Sequence, residues 1–218
     1  MKIPWIIFVG SGSHALPLLA AAVRRHKLGV PRKWILLWCG FLTSMSALSL
    51  VLALQGRNNH WMQNVVTPIA AGLVLWALSW WQASRRAALA IRLMIPLVVI
   101  AWIPMVTLVE EAQSFSLLAE PFVGMVVLAT AIYTLASRTL WETGSLSQQD
   151  WFWAATGVAL YHGAVVGLHP ASYWLMKTHP HLVVRALELN SLIEVVAFLA
   201  VAWGMTREGS PLRIRTAS

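Results

Sequence analysis

Only eight of the 218 residues are Asp or Glu, and one of them, Glu194, falls in the middle of an apolar run over 182–205. A carboxylate at membrane depth costs roughly 2.5–3.5 kcal/mol on insertion scales, so such a residue turns toward protein and marks a working position. His14 and His162 hold comparable places in two other apolar runs. Two imidazoles and one carboxylate offer three chemistries. They can relay protons or couple them to a solute. They can ligate a divalent metal. Paired histidines on two helices can hold a haem or a pigment. Neither an HExxH motif nor a close His/Cys cluster is present, nor a nucleophile elbow or phosphate loop. No metal or cofactor is therefore assigned.

Spacing sets the faces. Helical neighbours recur at three and four residues, so Asn190, Ser191 and Glu194 form one stripe, with Glu188 at its edge. His162, His169 and Tyr173 form a second, His60, Asn64 and Thr67 a third, and Ser11 and His14 a fourth. Lipid is a poor solvent for any of them, which predicts four helices turned toward one another. At about 1.5 Å per residue, His14 lies roughly 16 Å into its run, Glu194 roughly 18 Å and Glu188 roughly 9 Å. His14, His162 and Glu194 then make a central layer, with Tyr161, Asn190 and Ser191 beside it. His169, Asn64, Glu120 and Glu188 make an outer layer. Glu110, Glu111, His60, His179 and His181 rim the mouth. The competing reading is interhelical packing glue, worth about 0.6 kcal/mol per polar pair. It applies best to Glu188, which has Arg185 three residues away. For Glu194 the best partners on depth are His162 and His14.

These residues need membrane helices to position them. The chain is 58% hydrophobic and 11% charged, where a soluble domain carries about 25% charged residues. Seven runs approach the ~20 residues needed to span: 3–23, 34–54, 61–81, 87–109, 115–135, 151–176 and 182–205. An all-α, seven-helix bundle over residues 1–206 is predicted, with a polar tail over 207–218. Short connections make successive helices antiparallel neighbours. Prolines 17, 68, 96, 104, 121 and 170 interrupt five runs and would loosen backbone near a cavity. The first run reads as a retained helix, since Pro4 and His14 interrupt it and Arg24 and Arg25 anchor its end.

Basic residues orient the bundle. Arg24, Arg25, Lys27, Arg32, Lys33, Arg85, Arg86, Arg92, Arg138, Arg207, Arg213 and Arg215 fall at one end. Lys2, Arg57, Lys177 and Arg185 fall at the other. Twelve of the 16 basic residues on one side put the N-terminus outside and the C-terminus in the cytoplasm. The net charge of +8 therefore reads as membrane orientation, with lipids and not nucleic acid as the partner. The lone Cys39 permits no disulfide within the chain.

Two resemblances follow. Glu194-Val-Val-Ala-Phe198 resembles the Asp-x-x-x-Lys stretch of microbial rhodopsins, which share the seven-helix, N-outside topology. Phe198 stands where the retinal lysine would be, and Lys2, Lys27, Lys33 and Lys177 all lie outside the deep helix positions; the likeness implies architecture alone. Asn58-Asn59-His60-Trp61, Thr67-Pro68, Phe152-Trp153-x-x-x-Gly157-x-x-x-Tyr161 and Asn190-x-x-x-Glu194 resemble an uncharacterised group of bacterial seven-helix membrane proteins. Their segments are similar to the membrane sensor portions of some signalling proteins. That implies a multi-pass protein of the bacterial inner membrane and a separate protein partner in the membrane to receive any signal. The functional expectation is binding of a small or lipophilic ligand in an outward-facing cavity, in a receptor-like or accessory role. Proton-coupled transport is the alternative, and an enzyme or cofactor-holding subunit the third reading.

A reporter fused after Ser218 should be active only in the cytoplasm; activity on the outer side would overturn the orientation.

Overall fold

The structure is a computed structural model and describes residues 5–24, 28–110, 116–142 and 144–207. Among them every regular element is helical. The first expected span is two helices, α1 (Trp5–Ser13) and α2 (Leu16–Arg24), bent by 45°. Pro17 explains the break. It has no N–H, and its ring would clash with the carbonyl four residues back, at Ser13. Ser13 Oγ instead donates to Gly10 O at 2.6 Å, and Ala15 N closes a tighter turn on Gly12 O at 3.1 Å. His14 is left in the turn between the halves.

The remaining helices are α3 (Val30–Leu54), α4 (His60–Trp80), α5 (Arg85–Pro104), α6 (Ala119–Trp141), α7 (Asp150–Thr178) and α8 (Pro180–Met205). α4 and α7 run continuously through Pro68 and Pro170, and α5 through Pro96. Beyond Pro104 the chain widens into a π-helical turn, Met105–Val109, consistent with the lost proline N–H. Glu110, expected at the outer rim, clamps the start of α6. Its carboxylate accepts from the Ser116 hydroxyl at 2.9 Å and from the Leu117, Leu118 and Ala119 amides. The Ala119 amide is one of the orphan donors that a helix N-terminus leaves. Glu111 and the His60 side chain lie outside the described residues, as does the chain from 208 onward.

Among the described residues five helices, α3 to α7, are long and apolar enough to cross a membrane, and the bent α1–α2 pair makes a sixth if it is one span. α8 is not among them; it carries Arg185, Glu188 and Glu194 along its length. Its 26 residues nevertheless rise about 39 Å, more than the ~30 Å hydrocarbon core. The seventh expected span therefore turns on α8.

The contacts close into a ring: α1 and α2 against α8, α8 against α7, α7 against α6, α6 against α4, α4 against α3, and α3 back against α1 and α2. α5 stands outside that ring, against α4 and the edge of α6. Its outer stripe of Leu89, Leu93, Leu97 and Ile100 is more than half exposed, an apolar surface of a helix long and apolar enough to cross a membrane. Inside the ring, Trp38, Leu75, Leu78, Val127, Trp151, Val158, Phe198 and Val201 make a core with almost no exposure.

Buried charge ties the ring at the arginine-rich end. Arg32 lies 3.4 Å from Asp150 and donates to Arg207 O at 2.8 Å, joining α3, α7 and the end of α8. Arg138 pairs with Glu142 at 2.7 Å and covers the Trp151 ring, whose indole N–H donates to Glu142 at 2.7 Å. Glycines permit the closest helix approach. A Cβ at Gly157 would overlap Ala197 O and sit 2.5 Å from Val201 Cγ2, so α7 and α8 touch backbone to backbone there.

Gly157→Ala should lower the thermal midpoint of purified protein by what overpacking costs, about 1–3 kcal/mol. Gly163→Ala, whose Cβ would meet only Leu128 at 3.9 Å, should leave the midpoint unchanged. Equal midpoints for both variants would contradict the α7–α8 contact.

Candidate functional site

The break at Pro17 and the glycine at position 10 bring α1 and α8 together. A Cβ on Gly10 would lie 2.8 Å from Glu194 Oε2 and 2.8 Å from Ser191 Cβ. The polar stripe of α8 thus faces α1, with Ser191 buried and Glu194 laid over the Gly10 backbone. Asn190 Nδ2 donates to Glu194 Oε1 at 3.2 Å. Asn190, one turn earlier on the same helix, is the carboxylate's hydrogen-bond partner, where depth along the sequence favours His162 or His14. Neither histidine bonds it, for a geometric reason. The α1–α2 turn carries His14 past Glu194 toward Phe198, one turn further along α8.

His14 and His162 belong to a different group. The His14 ring packs on Phe198 at 4.4 Å and edge-on to Tyr161 at 6.1 Å. Tyr161 stands edge-on to His162 at 5.0 Å. Trp38 of α3 stacks on Phe198 at 5.4 Å and on His162 at 6.3 Å, and meets Tyr161 at 5.8 Å. Five rings from α3, α7, α8 and the α1–α2 turn so meet at mid-bundle. Their polar atoms are poorly satisfied. His14 Nδ1 lies 3.2 Å from Ser46 Oγ, but His14 Nε2, Trp38 Nε1 and both His162 nitrogens are buried without a hydrogen-bond partner. His162 is 7% exposed and His14 5%, so neither gap is closed by surface solvent.

A third group lies toward the α7–α8 turn. Glu120 of α6 accepts from Gln63 Nε2 of α4 at 2.6 Å, and its Oε2 lies 3.0 Å from His169 Nδ1 of α7. His169 is also within electrostatic reach of Glu194. Gln63, Glu120, His169, Glu194 and Asn190 therefore form a polar belt across α4, α6, α7 and α8.

The expected residues thus divide. Glu194 and Asn190 join at Gly10, His169 joins Glu120 and Gln63, and His14, Tyr161 and His162 join Trp38 and Phe198. Asn64 is buried on α4. Glu188 is half-buried on α8 and makes no ion pair with a described residue. Among the described residues no three His, Cys, Asp or Glu side chains converge as a metal-holding group. Sequence reasoning misses Trp38, Ser46 and Gln63. Trp38 and Ser46 sit in a span with no ionisable residue at depth; Gln63 precedes Thr67 by one turn and is readable as a stripe member.

Comparison of the chain with family models, with curated proteins and with solved structures returns no match. The site's meaning rests on its geometry.

A double-mutant cycle of Glu120→Gln and His169→Ala should give a coupling of about 0.6–1.7 kcal/mol, the range of interhelical polar pairs in membranes. Additive losses would mean that the two side chains do not act on each other.

Proposed function

We propose that the chain is a multi-pass membrane protein of the bacterial inner membrane, with α1–α2 as one bent span and α8 as the seventh. In it α1–α2, α3, α7 and α8 together bind a small ligand carrying a hydrogen-bonding group on an apolar body, reached from the outer side. The observation that carries this reading is His162. A buried imidazole with neither nitrogen bonded costs free energy that a packing residue would not be kept for, about 1–3 kcal/mol per unmet polar group. A ligand polar group set between His162 Nδ1 or Nε2 and His14 Nε2 would satisfy both, while Trp38, Tyr161 and Phe198 supply stacking surface for its apolar part. A receptor-like or accessory role implies a protein partner in the membrane.

A second reading draws on the belt. Glu120 pairs with His169 between α6 and α7 with Gln63 holding the carboxylate, and Glu194, held by Asn190, lies within electrostatic reach on α8. Intramembrane Glu/His chains of this kind relay protons in pumps and transporters. Proton-coupled solute transport is the reading this favours.

Mass spectrometry of protein extracted in mild detergent, then denatured, separates these. Wild type should release a small molecule that His162→Phe lacks, with His162→Phe at least as stable because it removes an unmet polar group. Identical contents in both would contradict ligand binding at His162. For the second reading, proteoliposomes with a pH-sensitive dye inside should show proton flux that Glu194→Gln abolishes; no flux in wild type would overturn it.

A further inference from the structure

A second feature lies outside this site. α3, α4 and α5 enclose an open apolar groove of about 470 Å³, walled by Trp34, Pro68, Gly72, Trp76, Ile95 and Val99 among others. It lies on the lipid side of α4, between α3 and the outlying α5. At its arginine-rich end stands Arg92. The guanidinium lies 4.7 Å from the Trp76 ring centre and 4.8 Å from that of Trp80, and Nε donates to Ser79 Oγ at 3.0 Å. Trp76 belongs to both, as groove wall and as platform for the cation.

Charge decides the occupant. No Asp or Glu precedes Glu110 in the chain, so the three helices that form the groove contain no carboxylate at all. Their cations include Lys33, Arg85, Arg86 and Arg92 at the same end. The carboxylates that could have crossed from α6 and α7 are committed elsewhere, Glu142 to Arg138 and Asp150 to Arg32. Arg92 is half-buried, makes one hydrogen bond to a neutral hydroxyl, and has no ion pair among the described residues. Its remaining N–H groups are therefore open to an external anion at the depth where an apolar groove begins.

We propose that this groove seats one acyl chain of an anionic glycerophospholipid, whose phosphate is held by Arg92 between Trp76 and Trp80, with Lys33 and Arg85 adding to the local potential. Basic pockets between membrane helices on the cytoplasmic side bind anionic head groups in this way. The tryptophans act at the interface depth they favour. Two features are required together: the arginine for the head group and the open groove for the chain. The proposal is independent of the histidine site.

The test reconstitutes the full chain in nanodiscs of phosphatidylcholine with a minor fraction of phosphatidylglycerol, and measures lipids retained after extraction by native mass spectrometry. Wild type should retain phosphatidylglycerol above its bulk fraction. Arg92→Gln should lose about fivefold of that preference, the worth of one arginine near an anionic surface, and Arg92→Lys should keep most of it. Gly72→Leu fills the groove from a position where its Cβ would meet Ile95 at an ordinary 3.6 Å. It should fold and yet retain less phosphatidylglycerol. Retention at bulk composition in wild type, or equal enrichment in wild type, Arg92→Gln and Gly72→Leu, would overturn the proposal. So would inorganic phosphate that displaces the lipid equally from wild type and Gly72→Leu, since the site would then be one for a free anion.

Discussion

Nothing larger than hydrogen fits at Gly10, because Ser191 and Glu194 of α8 occupy the space a side chain would take. That close approach governs much of the bundle. It turns the polar stripe of α8 onto α1 and away from the outer surface, where Leu192, Val196 and Leu199 are about half exposed. With α8 so rotated, Phe198 is aimed at Trp38 and His14, and Ala197 and Val201 meet Gly157 of α7. In a hydrocarbon surround polar groups find no partners, and there an outward Glu194 would carry the cost of an unpaired intramembrane carboxylate.

The two ends of the bundle are stabilised differently. At the arginine-rich end, buried ion pairs and a cation over Trp151 hold α3, α6, α7 and the end of α8 in register. Removing one partner of a buried pair leaves an uncompensated charge, which makes such pairs strong determinants of register whatever their net worth. Toward the other end, single hydrogen bonds join Gln63, Glu120 and His169, and another joins Asn190 to Glu194, and the first span is broken at His14. The apolar groove lies between α3, α4 and α5, the last of which takes no part in the ring.

Much of this is legible in the chain. Long apolar runs with short polar connections indicate a helical bundle, and three-to-four-residue spacing identifies Asn190, Ser191 and Glu194 as one face. Depth counting places His14 and His162 together, and they share an aromatic cluster. Pairing is less legible. Counting residues along straight helices sets His14 level with Glu194, but Pro17 bends the first span and displaces the imidazole to Phe198. Glu120 falls in the outer layer by depth, yet its partner Gln63 is neutral and draws less notice than His60 and Asn64 beside it. Trp38 is hidden for a different reason. A tryptophan in an apolar run looks like packing or interface, and only the ring closure of α3 against α1 and α2 brings it to His162. The outlying position of α5 has no signal of its own, since a helix that faces lipid and one buried in a core are both apolar around most of their circumference.

The rotation of α8 is the claim on which the rest stands, and site-directed spin labelling tests it directly. Cys39 is the chain's only cysteine and is buried, so single cysteines can be placed from 188 to 203 on a Cys39→Ser background in lipid bilayers. Collision with oxygen, which concentrates in hydrocarbon, should peak at 192, 196, 199 and 203 and fall to a minimum at 191, 197 and 198. The helical period should persist across the whole stretch. A profile of opposite phase, with 190 and 194 most accessible to oxygen, would contradict the account. So would uniform accessibility to a water-soluble relaxant, which would remove α8 from the membrane altogether.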